Sequence, residues 1–254
     1  MVTELIGRGS RWLLDKIVGA LATVGINPNM LTFLGMLVNG WAAVLFAWGE
    51  FRYGAGVIFL AGFLDMLDGQ VARREGRVTP FGAFFDSTLD RYSDMALYMG
   101  LLVYYAVIGR SSYVILAAVA TAGSVMVSYA RARAESLIEK CKVGFMERPE
   151  RIVLFMIGAF TDRMAAVLWV ILILSIVTVA NRIHYTYLAL NDRPMPGGSH
   201  VVSRVFWRAF FWRDERTTIP YDAWVVAILA FTWLTPPSWL GDPTAFGLGI
   251  WAWW

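Results

Sequence analysis

The stretch DMLDGQVARREGRVTPFGAFFDSTLD, residues 65–90, places four aspartates and three arginines inside sequence that otherwise reads as membrane. Asp65 and Asp68 are three apart at the end of an apolar run, and Gly69, Ala72 and Arg73 follow at helical spacing on the same face. Asp86 and Asp90 are four apart, with Gly82 one turn earlier, so they share a face of the next helix. Carboxylates at membrane depth cost several kcal/mol each when unpaired, and four converging from two helices repel one another unless a cation sits among them. A hard divalent ion with oxygen ligands is the natural occupant. A mere charge network would balance its acids with basic partners, and Arg73 is the only basic residue at the fixed positions of this pattern.

Composition agrees with a membrane setting. The chain has 254 residues, 58% hydrophobic, 15% aromatic and 16% charged, with a mean hydropathy of +0.56. That charge content is well below that of an ordinary soluble domain. The net charge of +3 is too small to imply a nucleic-acid partner. A single cysteine, Cys141, excludes an internal disulfide and fits a site facing a reducing cytosol.

Apolar segments at 31–48, 54–73, 81–108, 112–133, 149–161 and 164–188 predict six transmembrane helices, the fifth being the shortest. Basic residues then alternate in density. One side holds Arg73, Arg74 and Arg77, then Arg131, Arg133, Lys140, Lys142, Arg148 and Arg151, then Arg182 and Arg193, whereas the other holds Arg52, Arg110 and Arg163. The positive-inside rule puts the amino terminus and the aspartates in the cytoplasm of a multi-pass cell-membrane protein. Residues 3–24 mix Arg8, Arg11 and Lys16 with Leu5, Trp12 and Ile17, a pattern for an amphipathic helix lying in the interface. It lacks the uninterrupted apolar core and cleavage site of a signal peptide. The turn before the first span, Gly25 to Thr32, offers Asn27 or Asn29 as a helix cap.

Beyond residue 193 the character changes. Residues 195–199 form a Gly/Pro break, after which Arg204, Arg208, Arg213 and Arg216 are interleaved with Phe206, Trp207, Phe210, Phe211 and Trp212. This reads as a basic, aromatic segment anchored on anionic lipid. The run from Trp224 to Leu234 is short for a span, and the terminal Trp251, Trp253 and Trp254 suit the headgroup layer. Two units result: a membrane domain over 1–193 and a membrane-associated extension over 194–254.

The order Asp-x-x-Asp-Gly-x-x-Ala-Arg, eight residues, Gly-x-x-x-Asp-x-x-x-Asp resembles the signature of the CDP-alcohol phosphatidyltransferase family, with all eight defining positions present. The turn Pro28-Asn29-Met30-Leu31-Thr32 is similar to the family's entry to its first span. The resemblance implies that Asp65, Asp68, Asp86 and Asp90 hold two divalent ions, Mg²⁺ or Mn²⁺, and that Gly69, Arg73 and Thr79 contact the CDP part of a lipid donor. Asn29, Met30, Leu31 and Thr32 belong close to the same donor. Such a centre suits phosphoryl transfer: bridged cations neutralise a pyrophosphate and orient in-line attack, and Asp90 is the candidate base for the acceptor hydroxyl. Gly69 also has a steric reason, since the nucleotide can approach a helix without a side chain there.

The second basic loop narrows the resemblance. Tyr129-Ala130-Arg131-Ala132-Arg133-Ala134-Glu135, Glu147-Arg148-Pro149-Glu150-Arg151 and Asn181-Arg182-Ile183-His184 resemble the phosphatidylinositol-phosphate synthases within that family. The resemblance implies a phosphate pocket formed by Arg131, Arg151 and Arg182 for inositol phosphate, CDP-diacylglycerol as donor, and a homodimer in the lipid bilayer. The first of these basic positions is often lysine in the family, and an arginine there would grip phosphate as a fork. Arg133, Lys140, Lys142 and Arg148 read as ordinary cytoplasmic-loop charge, and His184 as an interfacial residue. Glycerol phosphate or another polar alcohol as acceptor, and an ether-lipid donor, stay open. A cation transporter or metal-binding scaffold is the non-enzymatic alternative; against it, the aspartates gather at one membrane face instead of forming a path across the bilayer.

Overall fold

In the computed structural model, which describes residues 16, 18, 19, 23, 27–193, 207, 212 and 218–241, every regular element is helical. The elements are α1 (Pro28–Ala47), α2 (Phe51–Arg74), α3 (Pro80–Val107), α4 (Ser111–Glu135), α5 (Arg148–Phe160), α6 (Met164–Leu190), α7 (Ile219–Leu234) and α8 (Pro237–Leu240). The first six fall where the apolar segments predict helices. Four of them, α1, α2, α4 and α6, are long and apolar enough to cross a membrane. Helix α3 has the length at 28 residues but carries Asp86, Asp90, Arg91 and Asp94 in its first half. Helix α5, at 13 residues, reaches only about 20 Å along its axis, short of the roughly 30 Å hydrocarbon core.

Local chemistry sets the two helix starts that matter for the site. Asn27 caps α1, its side chain accepting the Asn29 N–H at 3.0 Å with Pro28 in the first turn, which decides between the two candidate caps. Thr79 caps α3 in the same way, accepting the Gly82 N–H at 3.0 Å ahead of Pro80. Between α2 and α3 the chain reverses through Gly76, whose φ of 63° is the left-handed conformation that favours glycine.

Helix α1 packs against both α2 and α3, α4 bridges α3 and α6, and α5 lies against α2 and α6. The approach of α3 to α1 is backbone to backbone: a Cβ on Gly100 would overlap the Ala43 carbonyl. Small residues of this kind let helices meet where lipid supplies no hydrophobic drive for association. The core between them is built from Phe46, Ile58, Leu97, Tyr98, Phe155 and Leu168 with their neighbours, and Phe155 stands edge-on to Tyr98 at 4.9 Å. Helix α6 carries a buried polar stripe, Ser175, Thr178, Asn181 and Arg182, toward the loop over residues 136–147.

Helix α7 packs on α6 and is tied at both ends. At its start the Tyr221 hydroxyl donates to Glu150 Oε1 at 3.1 Å; past its end Arg163 Nη1 donates to the Thr235 carbonyl at 3.1 Å, and the Tyr113 hydroxyl donates to the Leu240 carbonyl. The apolar run read as short for a span is thus a helix held along the height of the bundle by polar contacts at each end. The expected amphipathic segment over 3–24 is described only at Lys16, Val18, Gly19 and Thr23, and most of the basic aromatic segment and residues 251–254 lie outside the described residues.

Candidate active site

Helices α2 and α3 bring three of the four expected aspartates into one cluster. Oxygens of Asp65, Asp68 and Asp86 all lie within 4.8 Å of one another. Asp68 is buried and oriented by the Thr32 hydroxyl, which donates to its Oδ2 at 2.6 Å. Asp86 Oδ1 is buried with no hydrogen-bond partner among the described residues. Three hard oxygen donors at this spacing, one of them orphaned, fit a divalent cation such as Mg²⁺ or Mn²⁺. Asp90 stands outside this trio of closest acids and is paired instead with Arg148, whose Nη2 is 2.9 Å from Asp90 Oδ1.

Arg148 is the residue that the sequence reading missed. It was assigned to ordinary loop charge, yet from the first turn of α5 its guanidinium reaches Asp65 at 3.3 Å, Asp90 at 2.9 Å and Asp94 at 3.5 Å. The acids therefore do have a basic partner, supplied from outside the motif by a different helix. Asp94, one turn beyond Asp90, was also missed; a continuation of the four-residue spacing from Asp86 and Asp90 was the signal for it.

Two cavities flank these carboxylates, Asp68 and Asp86 lining one and Asp90 and Asp94 the other. One, of about 260 Å³, is lined by Asn29, Thr32, Gly69, Arg73 and Thr79 on one side and by Asp68 and Asp86 on the other. These are the positions expected to meet a CDP group, and a Cβ at Gly69 would have the Arg73 guanidinium, 3.5 Å away, as its nearest neighbour. Met30 and Leu31 are not in this lining: Met30 points outward at 68% exposure, and Leu31 is buried with Leu67 and Val71. Their place in the turn is structural, since a helix that turns Asn29 and Thr32 to the cavity turns the next residues away from it.

The other cavity, of about 340 Å³, lies on the far side of Asp90 and Asp94 and is lined by Arg131, Arg148 and Arg182 together with Glu147. Arg131 donates to Glu135 at 3.1 Å and Glu147 at 2.8 Å. Arg182 is locked beneath, donating from Nε to the Val143 carbonyl at 3.1 Å, from Nη1 to the Val127 carbonyl at 2.5 Å and from Nη2 to Glu147 at 3.2 Å. Arg151, expected in this pocket, does not line it. At 2% exposure it is buried, with Nη2 on Asp94 at 2.7 Å and Nη1 on the Met146 carbonyl at 3.3 Å. Arg148 stands in the lining where Arg151 was expected. Arg133 bonds only locally, to Ser136 at 3.3 Å, in keeping with loop charge.

Comparison with known proteins follows the same lines. The family model described as CDP-alcohol phosphatidyltransferase matches residues 25–190. An archaetidylinositol phosphate synthase of Methanothermobacter thermautotrophicus is 40% identical over 149 residues, 59% of this chain and 72% of that one. The crystal structure of Mycobacterium tuberculosis phosphatidylinositol phosphate synthase with CDP-DAG bound is similar with a TM-score of 0.65 and 33% identity, covering 68% of this chain and 93% of that chain. The same protein in complex with manganese and citrate superimposes with a TM-score of 0.66 at 32% identity, over 73% and 96% of the two chains.

Proposed function

The chain belongs to the CDP-alcohol phosphatidyltransferase family, and from that premise we propose that it transfers a phosphatidyl group from CDP-diacylglycerol to a hydroxyl of inositol phosphate, releasing CMP. The observation that carries this reading is a run of carboxylates that faces two cavities, Asp68 and Asp86 lining the one with the residues expected to contact CDP, and Asp90 and Asp94 lining the one that holds the arginines. A phosphorus atom at the junction would face an acceptor hydroxyl arriving from the opposite cavity. That arrangement suits in-line displacement.

Asp65, Asp68 and Asp86 would hold the divalent cations, with Asp90 joining them once Arg148 releases it. Bound there, Mg²⁺ or Mn²⁺ supplies the positive charge that neutralises the pyrophosphate and its leaving CMP oxygen. Asp90, between the two cavities, takes the proton of the acceptor hydroxyl. Arg73 and the backbone at Gly69 hold the nucleotide, and Thr32 keeps Asp68 turned toward the cation. Two ions, six membrane crossings, a site facing the cytoplasm, a homodimer, and a catalytic unit over 1–193 followed by an extension over 194–254 complete the reading.

Inositol phosphate is favoured as acceptor because four arginines, Arg91, Arg131, Arg148 and Arg182, line the cavity beside the acids Asp90, Asp94, Glu135 and Glu147, and a phosphate could take over guanidiniums that those acids now hold. The names of the relatives point the same way, sharing inositol phosphate while differing in the lipid half. The decisive assay is CMP release with CDP-diacylglycerol and a panel of inositol phosphate, glycerol phosphate and free inositol, before and after exhaustive chelation. Inositol phosphate should be preferred, and activity should vanish with chelator and return with Mg²⁺ or Mn²⁺. Preference for an unphosphorylated alcohol, or turnover that survives chelation, would overturn the acceptor or the metal assignment respectively. Asp90→Asn should abolish turnover while donor binding persists.

A further inference from the structure

The loop that delivers Glu147 and Arg148 to the arginine-lined cavity is clamped from two sides, and only one of them belongs to the region matched by the family model. On the inner side α6 holds it: the Met146 N–H donates to Thr178 Oγ1 at 3.1 Å and the Val143 carbonyl accepts from Arg182. On the outer side it meets residues beyond position 190, where the family match ends. The Gly144 N–H donates to the Trp212 carbonyl at 3.3 Å, and the buried Phe145 ring lies 4.5 Å from Trp212 and 5.6 Å from Tyr221. Trp212 in turn stands edge-on to Tyr221 at 6.2 Å and tilted against Trp224 at 5.4 Å. One turn into α5, Glu150 accepts the Tyr221 hydroxyl at 3.1 Å, two residues from Arg148 and next to Arg151.

Gly144 has little freedom to move between these walls. Its φ of 92° is open to glycine, and a Cβ there would overlap the Thr178 side chain, so the loop is threaded between α6 and the aromatic cluster. We propose that Trp212 and Tyr221 are positioning residues for the acceptor site: the carboxy-terminal extension is a strap that presses Gly144–Glu150 onto α6 and so fixes where Glu147 and Arg148 stand in the cavity. Among the described residues, those of the strap line neither the cluster of Asp65, Asp68 and Asp86 nor the cavity that Gly69 and Arg73 line. Its influence therefore falls on the acceptor and spares the donor. This inference rests on the reading of the arginine-lined cavity as the acceptor's.

The test uses the full chain in nanodiscs, with Trp212→Ala, Trp212→Phe and Tyr221→Phe. Loss of the edge-on aromatic contact should raise the KM for inositol phosphate about tenfold in Trp212→Ala, with the KM for CDP-diacylglycerol changing less than about twofold. Trp212→Phe should restore most of the loss. Tyr221→Phe, which removes only the hydroxyl, should raise the acceptor KM about threefold and provides a milder variant should Trp212→Ala fail to fold. Amide hydrogen exchange over residues 143–150 should quicken in Trp212→Ala and Tyr221→Phe, while exchange at the Gly69–Arg73 turn of α2 stays as in the wild type. Equal increases in both KM values, or unchanged exchange over 143–150, would overturn the strap. If the wild type turns over a different acceptor, the function proposed above fails on its own, and the exchange data still decide whether the extension orders this loop.

Discussion

Arg148→Ala offers the sharpest test of how this centre manages its charge. The substitution removes one guanidinium that spans Asp90 at 2.9 Å, Asp65 at 3.3 Å and Asp94 at 3.5 Å. A divalent cation that recruits Asp65 and Asp90 has to displace those contacts, and each charge-assisted hydrogen bond is worth roughly 1.5–3 kcal/mol. Counting only the shortest, to Asp90, Arg148→Ala should tighten Mn²⁺ binding by about ten- to a hundredfold. The metal-free variant should melt below the wild type, because several half-buried acids are left to repel one another. Saturating Mn²⁺ should close that gap, since a ligand at about a hundred times its Kd stabilises by roughly 2.7 kcal/mol. Mn²⁺ affinity can be read by the loss of the free-ion electron paramagnetic resonance signal in detergent, and stability by thermal unfolding with and without metal. Unchanged or weaker Mn²⁺ binding would refute the idea that Arg148 competes with the cation for Asp90. Acceptor turnover should fall in the same variant, because the cavity loses one of its four arginines.

Arg151→Ala should act mainly on stability, leaving Asp94 with only its longer contact to Arg148 and so costing roughly 1.5–3 kcal/mol, and the double variant Arg151→Met with Asp94→Leu should recover much of it; thermal unfolding decides. Recovery absent in the double variant would mean that Arg151 is needed for something other than Asp94. Thr32→Val deletes the 2.6 Å hydrogen bond that orients Asp68 and should weaken Mn²⁺ affinity by about tenfold, with no change in the inositol phosphate KM. Burial pushes the Cys141 thiol up from its ordinary range, so at pH 8 little of it is thiolate and the folded protein should resist iodoacetamide for hours while the denatured chain reacts at once; mass spectrometry reads the difference.

How far the site could be read in advance depends on whether one helix or several decide a position. Asp65 with Asp68, and Asp86 with Asp90, are neighbours within single helices, so their spacing alone places each pair on one face. Thr32, Gly69, Arg73 and Thr79, which the family resemblance implied together, do line one cavity, and they sit at or near helix ends whose caps and turns are local. Arg148 and Arg151 are a different case. They are three apart near the start of α5 and both reach acids; which one lines the cavity and which is buried on Asp94 depends on how α5 is rotated against α2 and α6, which packing alone fixes. Asp94 then completes the choice by drawing Arg151 down into the core. The extension was legible only as apolar and aromatic, because the contacts that hold α7 come from Tyr113, Glu150 and Arg163, far away along the chain.

The two cavities have no lining residue in common. With the donor in one and the acceptor in the other, as proposed, both could be resident together, with neither vacating space for the other. Such a vestibule pair favours direct transfer within a ternary complex over a ping-pong cycle through a phosphatidylated enzyme. Initial velocities measured against both substrates should give intersecting double-reciprocal lines, and CMP should not be released in a burst before inositol phosphate is added.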